Sequence, residues 1–133
     1  METEFIYREW GSAVIKGLGV DITEIDRIEQ AIRKNHRFPE RILSERELKL
    51  FHKLSSWRRK VEFAAGRFAA KEAYSKAKGT GIGTAYSFRD IEILPDPQGK
   101  PDVFIKGRQE ANALVSISHS SEIVFAEVLI QEG

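Results

Sequence analysis

Residues 57–79, WRRKVEFAAGRFAAKEAYSKAKG, decide the fold of this chain because they form its long helical pattern. Apolar residues recur at helical spacing from Trp57 to Phe68, and the stripe then continues as Glu72 and Lys76. A lone charge in a packed interior costs several kcal/mol, so the last turns must emerge at a cleft edge, a subunit seam or solvent. Glu72 and Lys76 are therefore either a functional site or an exposed i,i+4 pair that stabilises the helix by roughly 0.2–0.5 kcal/mol.

The limits of this helix are marked on both sides. Ser55 or Ser56 can start it, and Gly79 ends it after Lys78. Small side chains on the helix permit the close approach of a sheet; they are Ala64, Ala65, Ala69, Ala70 and Ala73. We expect the helix to pack against a sheet.

Composition restricts the class of protein. The chain has 133 residues, enough for one domain with a real core. Hydrophobic residues make up 41%, and 21 basic side chains balance 20 acidic ones, which argues against disorder and against general nucleic-acid binding. The absence of cysteine excludes a disulfide framework and a thiolate zinc site. No segment approaches the roughly 18 apolar residues of a membrane span, and residues 1–13 lack a signal-peptide pattern. We expect a cytoplasmic protein.

The first elements are a strand and a helix. Residues 14–20 form a short apolar segment, which predicts a strand that ends in a turn. Asp21 or Thr23 can cap the helix that follows, which runs to about Lys34. Its apolar positions follow helical spacing and are Ile22, Ile25, Ile28 and Ile32.

The rest of the pattern completes an α+β fold. Ser44 and Glu47 form a capping box for a second helix after a loop around Pro39. From Ser87 the period becomes alternating, and residues 107–114 can hold a helical turn. Two hairpins are predicted, one from residues 88–94 and 103–106, the other from residues 115–118 and 123–130 around His119. We expect a single domain, residues 14–133, in which an antiparallel sheet that includes the first strand packs against the long helix, with residues 1–13 as an N-terminal extension.

Two carboxylates suggest chemistry. Asp21 sits at the exit of a buried strand, where it is either a helix cap or a site residue. Asp21 and Glu72 together, with no cysteine or histidine cluster, suit a hard cation such as magnesium, which takes oxygen ligands and retains waters and substrate phosphates.

Other residues leave two interpretations open. Residues 79–83, Gly-Thr-Gly-Ile-Gly, can offer amides to a phosphate, but they follow a helix and so also suit a helix stop. His119 is the best site candidate among the histidines, or else a polar turn residue. Basic side chains on and after the first helix form a solvated face or a docking patch for an acidic protein; they are Arg27, Arg33, Lys34, Arg37 and Arg41.

The combination resembles a known family, the holo-[acyl-carrier-protein] synthases, which are the small class of the 4′-phosphopantetheinyl transferases. Five motifs in this order carry the resemblance: GLGVDI at residues 17–22, RFAAKEAYSKA at 67–77, GTGIG at 79–83, GKP at 99–101 and SISHS at 116–120. The resemblance implies a 4′-phosphopantetheinyl transferase fold. It also implies transfer of phosphopantetheine from coenzyme A to a serine of apo acyl carrier protein, in support of fatty acid biosynthesis, with release of adenosine 3′,5′-bisphosphate.

The resemblance also implies roles for particular residues. Asp21 and Glu72 would hold Mg²⁺ with the pyrophosphate of coenzyme A, Lys76 would stabilise or protonate the leaving phosphate, and Glu72 would help to deprotonate the serine, directly or through a water. The residues implied as coenzyme A contacts are Lys71, Lys76, Gly79, Gly81 and His119. The family implies a homotrimer with sites at subunit seams and docking of the acidic carrier at Arg27.

Two other functions are compatible with the same residues. A magnesium-dependent phosphohydrolase acting on a nucleotide would use the same two carboxylates. A module without catalytic activity would bind an acidic protein through the first helix and would need neither magnesium nor Glu72.

Overall fold

One strand, four helices and then five strands build the α+β domain of the computed structural model, which describes residues 14–83 and 86–132. The elements in chain order are β1 (Ile15–Glu24), α1 (Ile25–Lys34), α2 (Phe38–Ile42), α3 (Glu45–Lys53), α4 (Trp57–Lys78), a 3₁₀ turn (Phe88–Asp90), β2 (Ile91–Pro95), β3 (Pro101–Ile105), β4 (Arg108–Gln109), β5 (Ala113–His119) and β6 (Ile123–Gln131). The expected fold class is confirmed. The predicted extension, residues 1–13, lies outside the described residues.

The strands form two antiparallel sheets rather than one. The first sheet has the order β1-β6-β5 and the second the order β2-β3-β4. The first strand therefore joins the C-terminal strands, as expected. In the first sheet Asp21 lies opposite Ala126, and Thr23 lies opposite Val124.

Helix α4 packs closely on β1 because two glycines leave room for it. A Cβ atom added to Gly19 would lie 1.9 Å from the carbonyl oxygen of Ala73, and one added to Gly17 would lie 2.0 Å from that of Ala77. Side chains alternate across a strand, so Asp21, two residues after Gly19, is also on the α4 side. The glycines therefore bring the C-terminal half of α4 next to Asp21.

The boundary between β1 and α1 corrects one expectation. Asp21 does not cap a helix, because the strand continues through Glu24 and helix α1 begins only at Ile25. Pairing with β6 extends to Glu24, and the Ile25 amide donates to the carbonyl of Glu122 at 2.8 Å. The backbone ladder thus supplies partners that a cap would otherwise provide, and no side-chain cap is formed at Glu24.

Predictions for the other elements have mixed outcomes. The Ser44 and Glu47 capping box is confirmed, and so are the Ser56 cap and the Gly79 end of α4. The loop predicted around Pro39 is instead the short helix α2. Pro39 is tolerated in its first turn because a backbone N–H there, which proline lacks, would have no acceptor within the helix. Residues 107–114 contain β4 and a turn rather than a helical turn, and residues 88–90 are 3₁₀ rather than strand.

In the described part of the chain no helix combines the length and apolarity needed to cross a bilayer.

The close approach of α4 to β1 predicts a strong effect of one methyl group. We expect Gly19→Ala to lower the free energy of unfolding by about 1–3 kcal/mol, since its Cβ would overlap backbone atoms that cannot move aside. Urea denaturation followed by circular dichroism measures this change.

Gly66→Ala is the matched control, because the nearest atom to its Cβ is the Ile117 Cγ2 at 3.5 Å. This variant should be unchanged or gain up to about 1 kcal/mol from better helix propensity. Equal stability of the two variants would contradict the packing argument.

Candidate active site

Asp21 is held on β1 by two partners. The Thr23 hydroxyl donates to Asp21 Oδ2 at 2.6 Å, and Lys76 Nζ lies 3.2 Å from Oδ1. Lys76 also donates to the carbonyl of Val20 at 3.0 Å. The side chain of Asp21 is 13% exposed, so the carboxylate is sheltered yet reachable.

Glu72 completes the acidic pair from α4. Burial is the largest cause that raises the pKa of Glu72, and the nearby charge of Asp21 raises it further. Lys76 and Arg27 act in the opposite direction and lower it. The four charged groups are therefore near one another, and Lys76 pairs with Asp21 rather than with Glu72 among the described ion pairs. This geometry argues against the simple exposed i,i+4 pair.

Arg27 lies on the exposed face of α1, close to the two carboxylates. Its guanidinium lies 5.5 Å from the centre of the Phe68 ring, one helical turn before Glu72 on α4. Two other arginines of the predicted basic patch have acidic partners of their own: Arg33 pairs with Glu29 at 3.0 Å, and Arg37 pairs with Glu40 at 3.1 Å.

The glycine segment, residues 79–83, begins three residues after Lys76. Gly79 and Gly81 have φ of 76° and 73°, a conformation that glycine adopts without strain. The amides of Gly79, Thr80 and Gly81 donate to carbonyls of the last turn of α4, so they serve as a helix stop and are not a ready phosphate cradle. Thr80 Oγ1 is buried and lacks a hydrogen-bond partner within the described residues.

Lys71 is not brought to the site. Its side chain is fully buried, and its ammonium donates to the carbonyls of Ile42 at 2.6 Å and Phe88 at 2.9 Å and to the carboxylate of Glu47. All three donors are used inside the domain. Contact with coenzyme A would require one of these bonds to break.

His119 lies in a separate pocket. The lining includes Gly66 and Arg67 of α4 together with Gly99, Pro101 and His119. Thr23 pairs with Val124 on β6, and Val124 pairs with His119 on β5, so β6 lies between His119 and the strand of Asp21. The strand of Asp21 and the strand of His119 are therefore two strand spacings apart, which is about 10 Å. The sequence motifs at residues 99–101 and 116–120 therefore meet each other, but not the acidic pair.

A family model described as the 4′-phosphopantetheinyl transferase superfamily matches residues 17–128. The chain belongs to this superfamily. A curated relative from Geobacillus sp. (strain WCH70), named holo-[acyl-carrier-protein] synthase, is 53% identical over 89% of this chain and 98% of its own length. A relative of the same name from Listeria innocua is 49% identical over 90% of this chain and 100% of its own.

Solved structures agree with this membership of the 4′-phosphopantetheinyl transferase superfamily. A holo-(acyl-carrier-protein) synthase from Bacillus anthracis, in complex with CoA (3′,5′-ADP), matches with a TM-score of 0.79 and 46% identity, covering 90% of this chain and 98% of that one. The enzyme from Neisseria meningitidis also has a TM-score of 0.79, at 36% identity, covering 90% and 100%.

Sequence reasoning misses two contributions to the geometry of the candidate site. The sequence suggests Thr23 only as a helix cap, whereas it lies two residues from Asp21 and shares the same face of the extended strand. A strand that continues to Glu24 brings the Thr23 hydroxyl next to the Asp21 carboxylate. Arg67, which donates to the carbonyl of Ile93 at 3.1 Å and lines the His119 pocket, had no signal of its own beyond the motif that contains it.

The environment of Glu72 predicts that its charge lowers stability. A raised pKa means that the folded protein holds this proton more tightly than the unfolded chain, whose glutamate pKa is about 4.3. The associated stability is present below that value and is lost as pH rises through the raised pKa. We expect Glu72→Gln to raise the melting temperature of the metal-free protein at pH 7 but not at pH 4.

Thermal melts with a chelator at both pH values measure this effect. Glu62→Gln is the control on the same helix, since Glu62 pairs with Arg58 at 3.0 Å, and it should bring no increase. A lower melting temperature of Glu72→Gln at pH 7 would contradict the prediction.

Proposed function

We propose that this protein is a cytoplasmic holo-[acyl-carrier-protein] synthase, which transfers 4′-phosphopantetheine from coenzyme A to a serine of apo acyl carrier protein in support of fatty acid biosynthesis. The observation that carries the proposal is the meeting of Asp21, Glu72 and Lys76 at one end of α4. Family membership and the names of the relatives support it.

The acidic pair fits Mg²⁺. Asp21 and Glu72, whose carboxylates are close enough for the charge of one to raise the pKa of the other, would be its ligands from the protein. Magnesium accepts this arrangement because it is commonly held by one or two carboxylates with substrate phosphates and waters. When bound, it supplies positive charge that neutralises the pyrophosphate of coenzyme A and holds it for in-line displacement.

The side chains would assist the transfer without forming a covalent intermediate. The carrier serine oxygen bonds to the phosphorus nearer the pantetheine, and the bond from that phosphorus to the bridging oxygen of the pyrophosphate breaks. Adenosine 3′,5′-bisphosphate leaves with the bridging oxygen, and Lys76, which is 53% exposed, is placed to stabilise or protonate it. Glu72 would accept the serine proton through a water, since a carboxylate that also holds a metal is a poor direct base.

The coenzyme A contacts that we propose are Lys76, Gly79, Gly81 and His119. Gly79 and Gly81 follow Lys76 on the chain, and the buried Thr80 hydroxyl between them has no partner among the described residues. His119 lies apart, on the pocket side of α4. Residues 66 and 72 are six positions apart, and at about 100° per residue they lie about 120° apart around the helix, on different faces. One subunit therefore carries two half-sites.

A homotrimer would unite these half-sites at its seams. The outer face of the first sheet carries large apolar side chains that are exposed by 37–62%: Ile15, Leu18, Val20, Ile22, Leu114 and Ile123. Soluble monomers rarely leave a contiguous apolar surface of this kind uncovered. We propose that further copies of the chain cover it, so that the Asp21 side of one subunit faces the His119 side of the next.

Carrier docking would occur at Arg27. This arginine is exposed on α1 yet close enough to Glu72 to lower its pKa, so a partner held there would present its serine to the acidic pair. An acidic carrier suits such a contact, since charge complementarity accelerates encounter and orients the partner.

The first test is the intact mass of apo acyl carrier protein after incubation with this protein, coenzyme A and magnesium. We expect a gain of one phosphopantetheine that a chelator abolishes and that Glu72→Gln lowers by roughly 100-fold or more. Coenzyme A breakdown without a carrier would instead favour the phosphohydrolase, and carrier binding without a mass gain or a magnesium requirement would favour the binding module.

The shared seam predicts complementation between inactive subunits. Asp21→Asn and His119→Ala should each be inactive alone, but co-expressed mixtures should regain activity, because some seams combine the intact halves. A mixture of Asp21→Asn with Glu72→Gln is the control, since both changes affect the same half-site. Recovery in that control, or none in the first mixture, would contradict the seam.

Docking at Arg27 predicts a selective loss. Arg27→Glu should weaken carrier binding by roughly tenfold or more while coenzyme A binding changes far less, as measured by calorimetry with each ligand. Arg33→Glu is a matched control on the same helix, because Arg33 is already paired with Glu29. Equal losses for both ligands would refute the docking assignment.

A further inference from the structure

Lys71 and Glu47 form a buried ion pair that the proposed chemistry does not use. Both side chains are 0% exposed. Glu47 accepts from the Ser44 amide at 2.9 Å and from the Ile93 amide at 2.8 Å, while Lys71 donates to Glu47 and to the carbonyls of Ile42 and Phe88. Buried charges are costly unless their hydrogen bonds are satisfied, and here each one has partners. The pair joins α2, α3, β2 and α4.

One of these bonds reaches the 3₁₀ turn that follows the glycine segment. Phe88 is the first residue of this turn, which connects the glycine segment to β2 of the second sheet. Just before it, the Tyr86 ring lies edge-on to the buried ring of Tyr74 at 5.9 Å, and the Tyr86 carbonyl accepts from the Gly83 amide at 2.7 Å.

The other end of the segment is also held by α4. The amides of Thr80 and Gly81 donate to the carbonyl of Ser75 at 3.1 and 3.4 Å. Lys71, Tyr74 and Ser75 are spaced as i, i+3 and i+4, so one side of the helix holds both ends of the segment. Glu72 and Lys76 lie about 100° further round the same helix.

We propose that Lys71 is a positioning residue that fixes the return of the glycine segment through the carbonyl of Phe88 and so holds Gly79 and Gly81 in place for coenzyme A. This inference rests on the proposed function, in which that segment contacts coenzyme A. It assigns to Lys71 an indirect role instead of the direct contact that the family resemblance implied. Loss of the anchor loosens substrate binding and leaves Glu72 and Lys76 in place, so KM for coenzyme A should change more than kcat.

The test replaces the whole ion pair, since removal of one partner leaves a buried charge alone. Lys71→Met combined with Glu47→Gln should raise KM for coenzyme A roughly tenfold and change kcat by less than about threefold. Tyr86→Ala loosens the same segment without touching the buried pair, and it should show the same split even if the double variant fails to fold.

The control is the neighbouring ion pair of Arg46 and Glu92, which joins α3 to β2 at 2.6 Å without contacting the segment. Arg46→Met combined with Glu92→Gln should lower the melting temperature with KM unchanged. An unchanged KM in Tyr86→Ala or in the folded Lys71 double variant would overturn the inference, and so would an equal rise in the control.

Hydrogen exchange separates this inference from the proposed function. Amides of residues 79–83 should exchange at least several-fold faster in the Lys71 double variant, or in Tyr86→Ala, than in the control. Wild-type protein that does not modify any carrier would overturn the proposed function alone. Unchanged exchange in these amides would overturn the role of Lys71, whatever the activity.

Discussion

The contact between α4 and β1 is the constraint on which the rest of the structure depends. Two glycines on the strand let helix backbone approach so closely that a methyl group at Gly19 would lie 1.9 Å from a carbonyl oxygen. Because side chains alternate along β1, the same face that carries the glycines also presents Asp21 to the last turns of α4. A wider spacing would separate the aspartate from Lys76, which now lies 3.2 Å from it.

Two acidic and two basic side chains share the candidate site. Two carboxylates repel each other in partial shelter from water, and two cations from different helices reduce that repulsion. Such an arrangement favours a ligand that brings more positive charge, such as a divalent cation, and it disfavours burial of the acids by themselves. At Glu72 the proposed function and stability therefore oppose each other, which is common where a site must stay ready for a ligand.

The sequence predicted the parts that have local signals. Helix α4 carries its own cap, period and glycine stop, and the alternating segments near the C-terminus are short and clearly bounded. The role of Asp21 was predicted less well, because a strand that pairs with a distant segment can extend past a local capping signal. Lys71 was misplaced for the same kind of reason: its partners lie on α2, α3 and the 3₁₀ turn, and no spacing on α4 indicates them. The separation of His119 from Asp21 likewise follows from strand order, which requires knowledge of the whole sheet.

The pairing of β1 with β6 sets the order in which this domain can form. Its first strand is joined by hydrogen bonds to its last, across roughly a hundred residues of intervening chain, and such distant contacts are slow to close. During synthesis β1 must therefore wait until β6 has left the ribosome, while α4, which forms locally, has no completed sheet to pack against. The apolar side chains and the unpaired edges of β1 are exposed throughout that interval, a condition that favours aggregation of the nascent chain.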